Sequence, residues 1–108
     1  MPIRTFALPL VLLLSGLLLI GCASTASQTA DLSTERCIRR AKLALRDADF
    51  DQNRSMTTDG NTRIVAGDHA SYRGEVHCPI HDGTIEFTVT GPDFYQAALY
   101  KEAIIRKF

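Results

Sequence analysis

Apolar residues recur every three or four positions over residues 33–48, and this is the clearest periodic pattern in the chain. On a helix these residues form one stripe about 100° wide. Ser33 is a suitable N-cap, and Glu35 places a negative charge in the first turn, where it interacts favourably with the helix dipole. The pattern predicts a helix that buries Cys37, Ile38, Ala41, Ala44, Leu45 and Ala48.

Three later stretches, residues 62–68, 71–78 and 84–90, have the turn flanks and composition of β-strands. In the second and third, apolar and polar residues alternate, so we expect an antiparallel sheet with one covered face and one solvent-exposed face. The covered face would carry Tyr72, Gly74, Val76, Cys78, Ile85, Phe87 and Val89. The exposed face would carry Arg73, Glu75, His77, Glu86, Thr88 and Thr90.

A second helix is predicted after Gly91, where Pro92 and Asp93 end the strand and Asp93 with Gln96 resembles a capping box. Lys101 lies near the centre of the apolar face of this helix. Its stem could cover the sheet edge while its ammonium reaches water, or it could meet a buried carboxylate or a ligand. The apolar face itself consists of Phe94, Ala97, Ala98, Ile104, Ile105 and Phe108.

This order of elements predicts an α+β fold over residues 33–108, a two-layer sandwich of helix, three-stranded antiparallel sheet and helix (αβββα). Both helices would cover the apolar face of the sheet. Residues 22–108 are long enough for one small domain and no second. Residues 23–30 are small, polar and uncharged, so residues 22–32 are predicted to be a flexible tether.

Residues 1–21 have the pattern of a secretory signal peptide: Arg4 precedes a mostly apolar run over residues 6–20. The run is shorter than the roughly 20 residues that a membrane-spanning helix needs. It ends in Leu19-Ile20-Gly21-Cys22. The cysteine at this point could be coincidental, and the segment would then be an ordinary secretory signal or a signal anchor.

The residues Leu19-Ile20-Gly21-Cys22 resemble the lipobox of bacterial lipoproteins, and the whole chain resembles the small lipoproteins of bacterial envelopes. The resemblance implies cleavage after Gly21, diacylglycerol on the sulfur of Cys22, and acylation of the new N-terminus. In Gram-negative lipoproteins an Asp after the cysteine signals retention in the inner membrane. Because Ala23 stands there, we expect an outer-membrane anchor with the domain facing the periplasm.

Cys37 and Cys78 are the two cysteines that remain when Cys22 carries lipid. Both are predicted to face the same interior in an oxidising compartment, which favours a disulfide. A loop of about 40 residues closed by this bond would add about 4 kcal/mol of stability in the chain-entropy model. The alternative is a reactive thiol, which requires a partly exposed site with a lowered pKa.

Twelve basic residues balance twelve acidic ones, and this argues against a nucleic-acid-binding protein. No nucleophile elbow, phosphate-binding glycine loop or zinc-protease motif is present, so we expect no enzymatic activity and no cofactor beyond the lipid. His69, His77 and His81, with Cys78, are a weak signal for a metal site.

Two surfaces are candidates for interaction. The exposed side of the first helix carries Arg36, Arg39, Arg40 and Leu43 and could bind anionic lipid or an acidic protein, or simply be solvated. The open sheet face or an edge strand could also accept a partner. We therefore expect a non-catalytic lipoprotein that binds another envelope protein; the alternative is a periplasmic small-molecule or metal-binding lipoprotein.

Overall fold

The computed structural model describes residues 22–29, 32–81 and 83–108. The predicted signal peptide lies outside the described residues. In the described part of the chain, five strands and two helices follow one another. They are β1 (Cys22–Thr29), α1 (Thr34–Asp47), β2 (Gln52–Asp59), β3 (Thr62–His69), β4 (Tyr72–Pro79), β5 (Thr84–Gly91) and α2 (Phe94–Lys107).

All five strands belong to one antiparallel sheet in the order β1-β5-β4-β3-β2. The central strands β3, β4 and β5 correspond to the three predicted strands. The prediction of a three-stranded sheet is nevertheless wrong, because β1 and β2 extend the sheet at both edges. Both strands are rich in small and polar residues. They form through main-chain hydrogen bonds to one neighbouring strand, and such bonds require no alternation of apolar side chains.

The N-terminal segment also departs from the prediction. Residues 22–29, expected to form a flexible tether, are strand β1 and pair along their length with β5. Cys22 lies opposite Gly91, and Ser24 lies opposite Val89. Strand β1 therefore joins the folded domain at Cys22 itself, and no slack chain separates that cysteine from the sheet.

Helices α1 and α2 lie side by side on one face of the sheet, as predicted. Of the predicted stripe of α1, Cys37, Ala41, Ala44 and Leu45 are buried, while Ile38 and Ala48 are partly buried against the same core. Ser33 is the N-cap of α1, and its hydroxyl accepts a hydrogen bond from the backbone N–H of Arg36 at 3.3 Å. The alternation of β4 and β5 is also confirmed by their burial patterns.

Phe50 is fully buried although it lies beyond the predicted helix, in a stretch to which the sequence pattern assigns no element. The backbone N–H of Asp49 bonds to the carbonyl of Arg46 at 3.0 Å, and that of Phe50 bonds to the carbonyl of Leu45 at 2.8 Å. Asp49 has a φ of 68°. These are the bonds of a Schellman motif, which reverses the chain and directs Phe50 into the core.

A disulfide joins Cys37 in the first turn of α1 to Cys78 near the end of β4, as predicted, with a Cα–Cα distance of 5.9 Å. The hydroxyl of Thr34 donates to the carbonyl oxygens of Pro79 and Ile80 at 2.8 and 3.1 Å. The start of α1 is thus fixed to the end of β4 by one covalent bond and by hydrogen bonds from the same turn.

Candidate functional site

The outer side of α1 carries a stripe of exposed residues at positions i, i+3, i+7 and i+10, which align on a helix surface. We call Arg36, Arg39, Leu43 and Arg46 the basic face of α1. Leu43, at its centre, is 48% exposed. Arg46 pairs with the neighbouring Asp47 at 3.2 Å, whereas the described residues include no ion-pair partner for Arg36 or Arg39. Two guanidinium groups and an apolar side chain are therefore available on this face.

Arg40, predicted to belong to the same face, has a different role. Its guanidinium donates hydrogen bonds to the backbone oxygen of Phe108, with a Nε–O distance of 2.8 Å. The same group lies over the Phe108 ring, 4.7 Å from its centroid. Arg40 therefore joins α1 to the end of α2 and is not free for a partner.

A groove of about 390 Å³ lies between α1 and the edge strand β2. It forms because α1 covers β3 and β4 but leaves β2 exposed along nearly its whole length. Apolar side chains in the groove come from both layers, and two cations accompany them. We call this the basic groove, lined by Lys42, Leu45, Arg54, Met56 and Val65.

Strand β2 is an edge of the sheet, so half of its backbone hydrogen-bonding groups point away from β3. Its first part is irregular: the pairing register shifts between Gln52 and Ser55, and Asn53 has a φ of 48°. From Ser55 to Asp59 the pairing with β3 is regular. This regular part offers a free backbone edge directly beside the basic groove.

On the polar face of the sheet, opposite the helices, Arg73 lies within ion-pair distance of Asp68 and Glu75. Arg73 bonds to Asp68 at 2.9 Å and to the hydroxyl of Ser55 at 2.9 Å. Hydrogen bonds from Asn53 and Arg73, together with the positive charge of Arg73, lower the pKa of Asp68 against the opposing effect of burial. This face is therefore a less suitable site for a charged partner than the basic groove.

The three histidines do not form one cluster. His69 ends β3 and lies against the rings of Phe50 and Tyr100, with centroid distances of 5.6 and 5.3 Å. His77 bonds to a carboxylate oxygen of Glu75 at 2.9 Å, and His81 follows β4 at the opposite end of the sheet from His69. Within the described residues, no group of three His, Cys, Asp or Glu side chains could hold a metal ion.

Lys101, whose role the sequence left open, has a side chain that is only 14% exposed. Its Nζ lies 3.9 Å from a carboxylate oxygen of Glu102, which is itself 56% exposed. The stem is therefore covered by the domain, while the ammonium lies near a solvent-accessible carboxylate. This arrangement matches a lysine that extends towards water more closely than one that meets a buried carboxylate.

Comparisons of the chain with protein-family models, with curated proteins and with solved structures found no match. None of the helices in the described ranges is long and apolar enough to cross a membrane. The function must therefore be inferred from the residues of the chain itself.

The sequence predicted Arg36, Arg39 and Leu43 of the basic face of α1 but added Arg40 to them. It missed the half of the basic groove that β2 supplies. Arg54 and Met56 lie in a polar run with no alternation, and no pattern in that run indicates a strand. Met56 was the one available signal, because it is the single large apolar residue of β2 and is 44% exposed. An isolated methionine is too common for such an inference.

Proposed function

We propose that this protein is a non-catalytic lipoprotein of the bacterial envelope whose domain binds an acidic, extended segment of another envelope protein. The observation that carries the partner proposal is the position of the basic groove beside the free edge of β2. An extended segment could add a strand to β2 through its backbone and place acidic side chains near Lys42 and Arg54. Apolar side chains of the segment would contact Met56.

The basic face of α1 supports this proposal because it continues the positive charge beyond the groove. Lys42 lies on the same helix as Arg39, and both side chains are exposed. Positive charge on two neighbouring surfaces accelerates the approach of an acidic partner and disfavours a basic one. The polar face of the sheet, with its internally paired charges, does not offer the same attraction.

The anchor proposal rests on the lipobox resemblance and is tested by intact mass. Protein extracted from membranes of a Gram-negative host should begin at Cys22 and carry diacylglycerol and an N-acyl chain. The variant Cys22→Ser should lack both modifications and keep the signal sequence. A wild-type protein that retains residues 1–21, or that has an unmodified Cys22, would contradict the anchor.

The partner proposal is tested by photocrosslinking in the intact envelope. A photoreactive residue at Met56 should form an adduct whose crosslinked peptide is rich in Asp and Glu. Reversal of charge by Lys42→Glu with Arg54→Glu should remove the adduct, because the attraction becomes repulsion. The same photoreactive residue at Glu86, exposed on the polar sheet face, is the matched control and should not form that adduct.

Two results would contradict this function. The first is the absence of an adduct at Met56 in a protein that is correctly lipidated. The second is an adduct that survives charge reversal or whose crosslinked peptide lacks acidic residues. In either case the groove would not be a site for an acidic segment.

A further inference from the structure

Three large apolar side chains are exposed on the first two turns of α2. Phe94 is 56% exposed, Tyr95 is 79% exposed and Leu99 is 60% exposed. Tyr95 and Leu99 are four residues apart and therefore adjacent on the helix surface. We call these three residues the α2 patch.

The apolar face of the helix predicts that Phe94 points into the core, and this prediction is wrong because Phe94 is exposed. The ring of Tyr72 occupies the space directly above Gly91, where a Cβ would collide with it. Tyr100 packs on that ring with a centroid distance of 4.9 Å. These two tyrosines, and not Phe94, pack at this end of the core.

The α2 patch lies at the same end of the domain as Cys22. The register places Cys22 opposite Gly91, and Phe94 follows Gly91 by three residues, a span of at most about 10 Å. Cys22 is two residues from the buried Ser24, so its side chain points to the helix-covered face of the sheet. Helix α2 packs against β1 on that same face.

The outer side of α2 changes character along its length. After Tyr95 and Leu99, the next residues on the same stripe are Glu102 and Arg106, and both are exposed. The helix is thus apolar on its outer side near Cys22 and charged at the far end. A helix that met a membrane only at the Cys22 end would have this distribution.

We propose that Phe94, Tyr95 and Leu99 insert into the interfacial region of the bilayer that holds the acyl chains of Cys22. This inference rests on the proposed function, specifically on lipidation of Cys22. Aromatic side chains favour the membrane–water interface, where the ring is buried and a hydroxyl remains hydrated. Because β1 leaves no slack after Cys22, the anchor keeps the α2 patch at the membrane surface and raises its effective concentration there.

The insertion also defines how the domain is oriented. Asp49 and Asp51 are exposed at the same end of the sheet but beside β2, which is about 19 Å from β1 across four strand spacings. With the β1 and α2 corner at the membrane, the β2 edge with its carboxylates and the basic groove lies farthest from the anchor across the width of the sheet. The orientation therefore leaves the groove open to an envelope protein.

The experiment uses the chain's lack of tryptophan. Lipidated Tyr95→Trp that begins at Cys22 is reconstituted at one copy per nanodisc of phosphatidylcholine brominated near the carbonyl end of the acyl chains. We expect roughly a twofold loss of indole emission relative to unbrominated lipid, and a smaller loss when the bromines lie near the chain ends. Leu43→Trp, on the exposed side of α1, is the matched control and should not be quenched.

A second variant tests whether the quenching requires the apolar side chains of the α2 patch or only the lipid anchor. Phe94→Asp with Leu99→Asp, added to Tyr95→Trp, should abolish the quenching while the acyl mass on Cys22 and the circular dichroism spectrum stay unchanged. These positions are exposed, so the fold does not depend on them.

The outcomes distinguish lipidation of Cys22 from insertion of the α2 patch. Intact mass without acyl chains would overturn the anchor and the insertion together. Acylated protein in which Tyr95→Trp is quenched no more than Leu43→Trp would overturn the insertion alone. Emission changes that occur only when several copies share a nanodisc would assign the α2 patch to contact with a second copy, and would also overturn the insertion.

Discussion

The guanidinium group of Arg40 in α1 joins the two helices by binding the backbone oxygen of Phe108 and covering its ring. The Phe108 ring in turn meets Phe87 of β5 edge to face, with a centroid distance of 5.1 Å. A surface arginine thus holds the end of α2 against the sheet. Arg40, which was predicted to bind a partner, instead stabilises the contact between the two helices.

Replacement of Arg40 should therefore lower stability more than replacement of its neighbour. Arg40→Ala removes the hydrogen bonds to Phe108 and the cation–π contact, and we expect a loss of about 1 kcal/mol in the free energy of unfolding. Arg39→Ala should change it by less than about 0.5 kcal/mol. Urea denaturation of both variants provides the comparison, and equal losses would contradict the role of Arg40.

The Cys37–Cys78 disulfide should be a large part of the stability of this small domain. It closes a loop with a sequence separation of 41 residues, and the chain-entropy model gives about 4 kcal/mol for such a loop. We expect Cys37→Ser with Cys78→Ser to lose most of that amount in urea denaturation. Reduction of the wild-type protein should produce a similar loss, and a loss under about 1 kcal/mol in both cases would refute the prediction.

Asp68 should make stability depend on pH under acidic conditions. Its pKa is lowered below the ordinary value of 3.8, first by the hydrogen bond from Asn53 and then by Arg73, so the folded state favours the carboxylate. The resulting stabilisation is present above pH 3.8 and is lost as the pH falls through the lowered pKa.

Asp68→Asn should therefore be less stable than the wild-type protein at neutral pH, by less than about 1 kcal/mol because the pair is partly exposed. The difference should shrink as the pH falls below 3.8. Thermal denaturation of both proteins over a pH series measures this difference in stability. Asp51→Asn, an exposed neighbouring position, is the control at neutral pH; a constant difference for Asp68→Asn at every pH would exclude the mechanism.

Asp49 occupies a backbone conformation that glycine adopts without strain. Its φ of 68° places it at the C′ position of the Schellman motif that ends α1. We expect Asp49→Gly to raise the free energy of unfolding by about 0.5–1 kcal/mol. Asp51→Gly is the matched substitution outside the motif and should not stabilise; if both variants lose stability, Asp49 is not strained.

The chain's alternating and helical patterns predicted both helices, the three central strands and the disulfide. Each of these elements buries one face, and burial imposes a repeat that the sequence displays. Strand β2 is exposed at nearly every position, and β1, one face of which α2 covers, buries only small residues such as Ser24. Their residues were free to be polar, and so they left no pattern to recognise.

The candidate site also has one part that the sequence predicts and one part that only the fold creates. The cations on the outer side of α1 follow from helical spacing, but the basic groove exists only because β2 pairs with β3 and brings Met56 and Arg54 opposite Lys42. Phe94 was assigned to the core by its position on the apolar face. In the fold, Tyr72 and Tyr100 pack at this end of the core, and Phe94 lies outside it.

By itself, the sequence determined the helices, the central strands and the cysteine pair, because periodic burial is a local property. The tertiary structure alone decided the two edge strands, the burial of Phe50, the role of Arg40 and the exposure of Phe94. These depend on main-chain pairing and on which side chains fill a limited core volume, and residues far apart in the chain settle both.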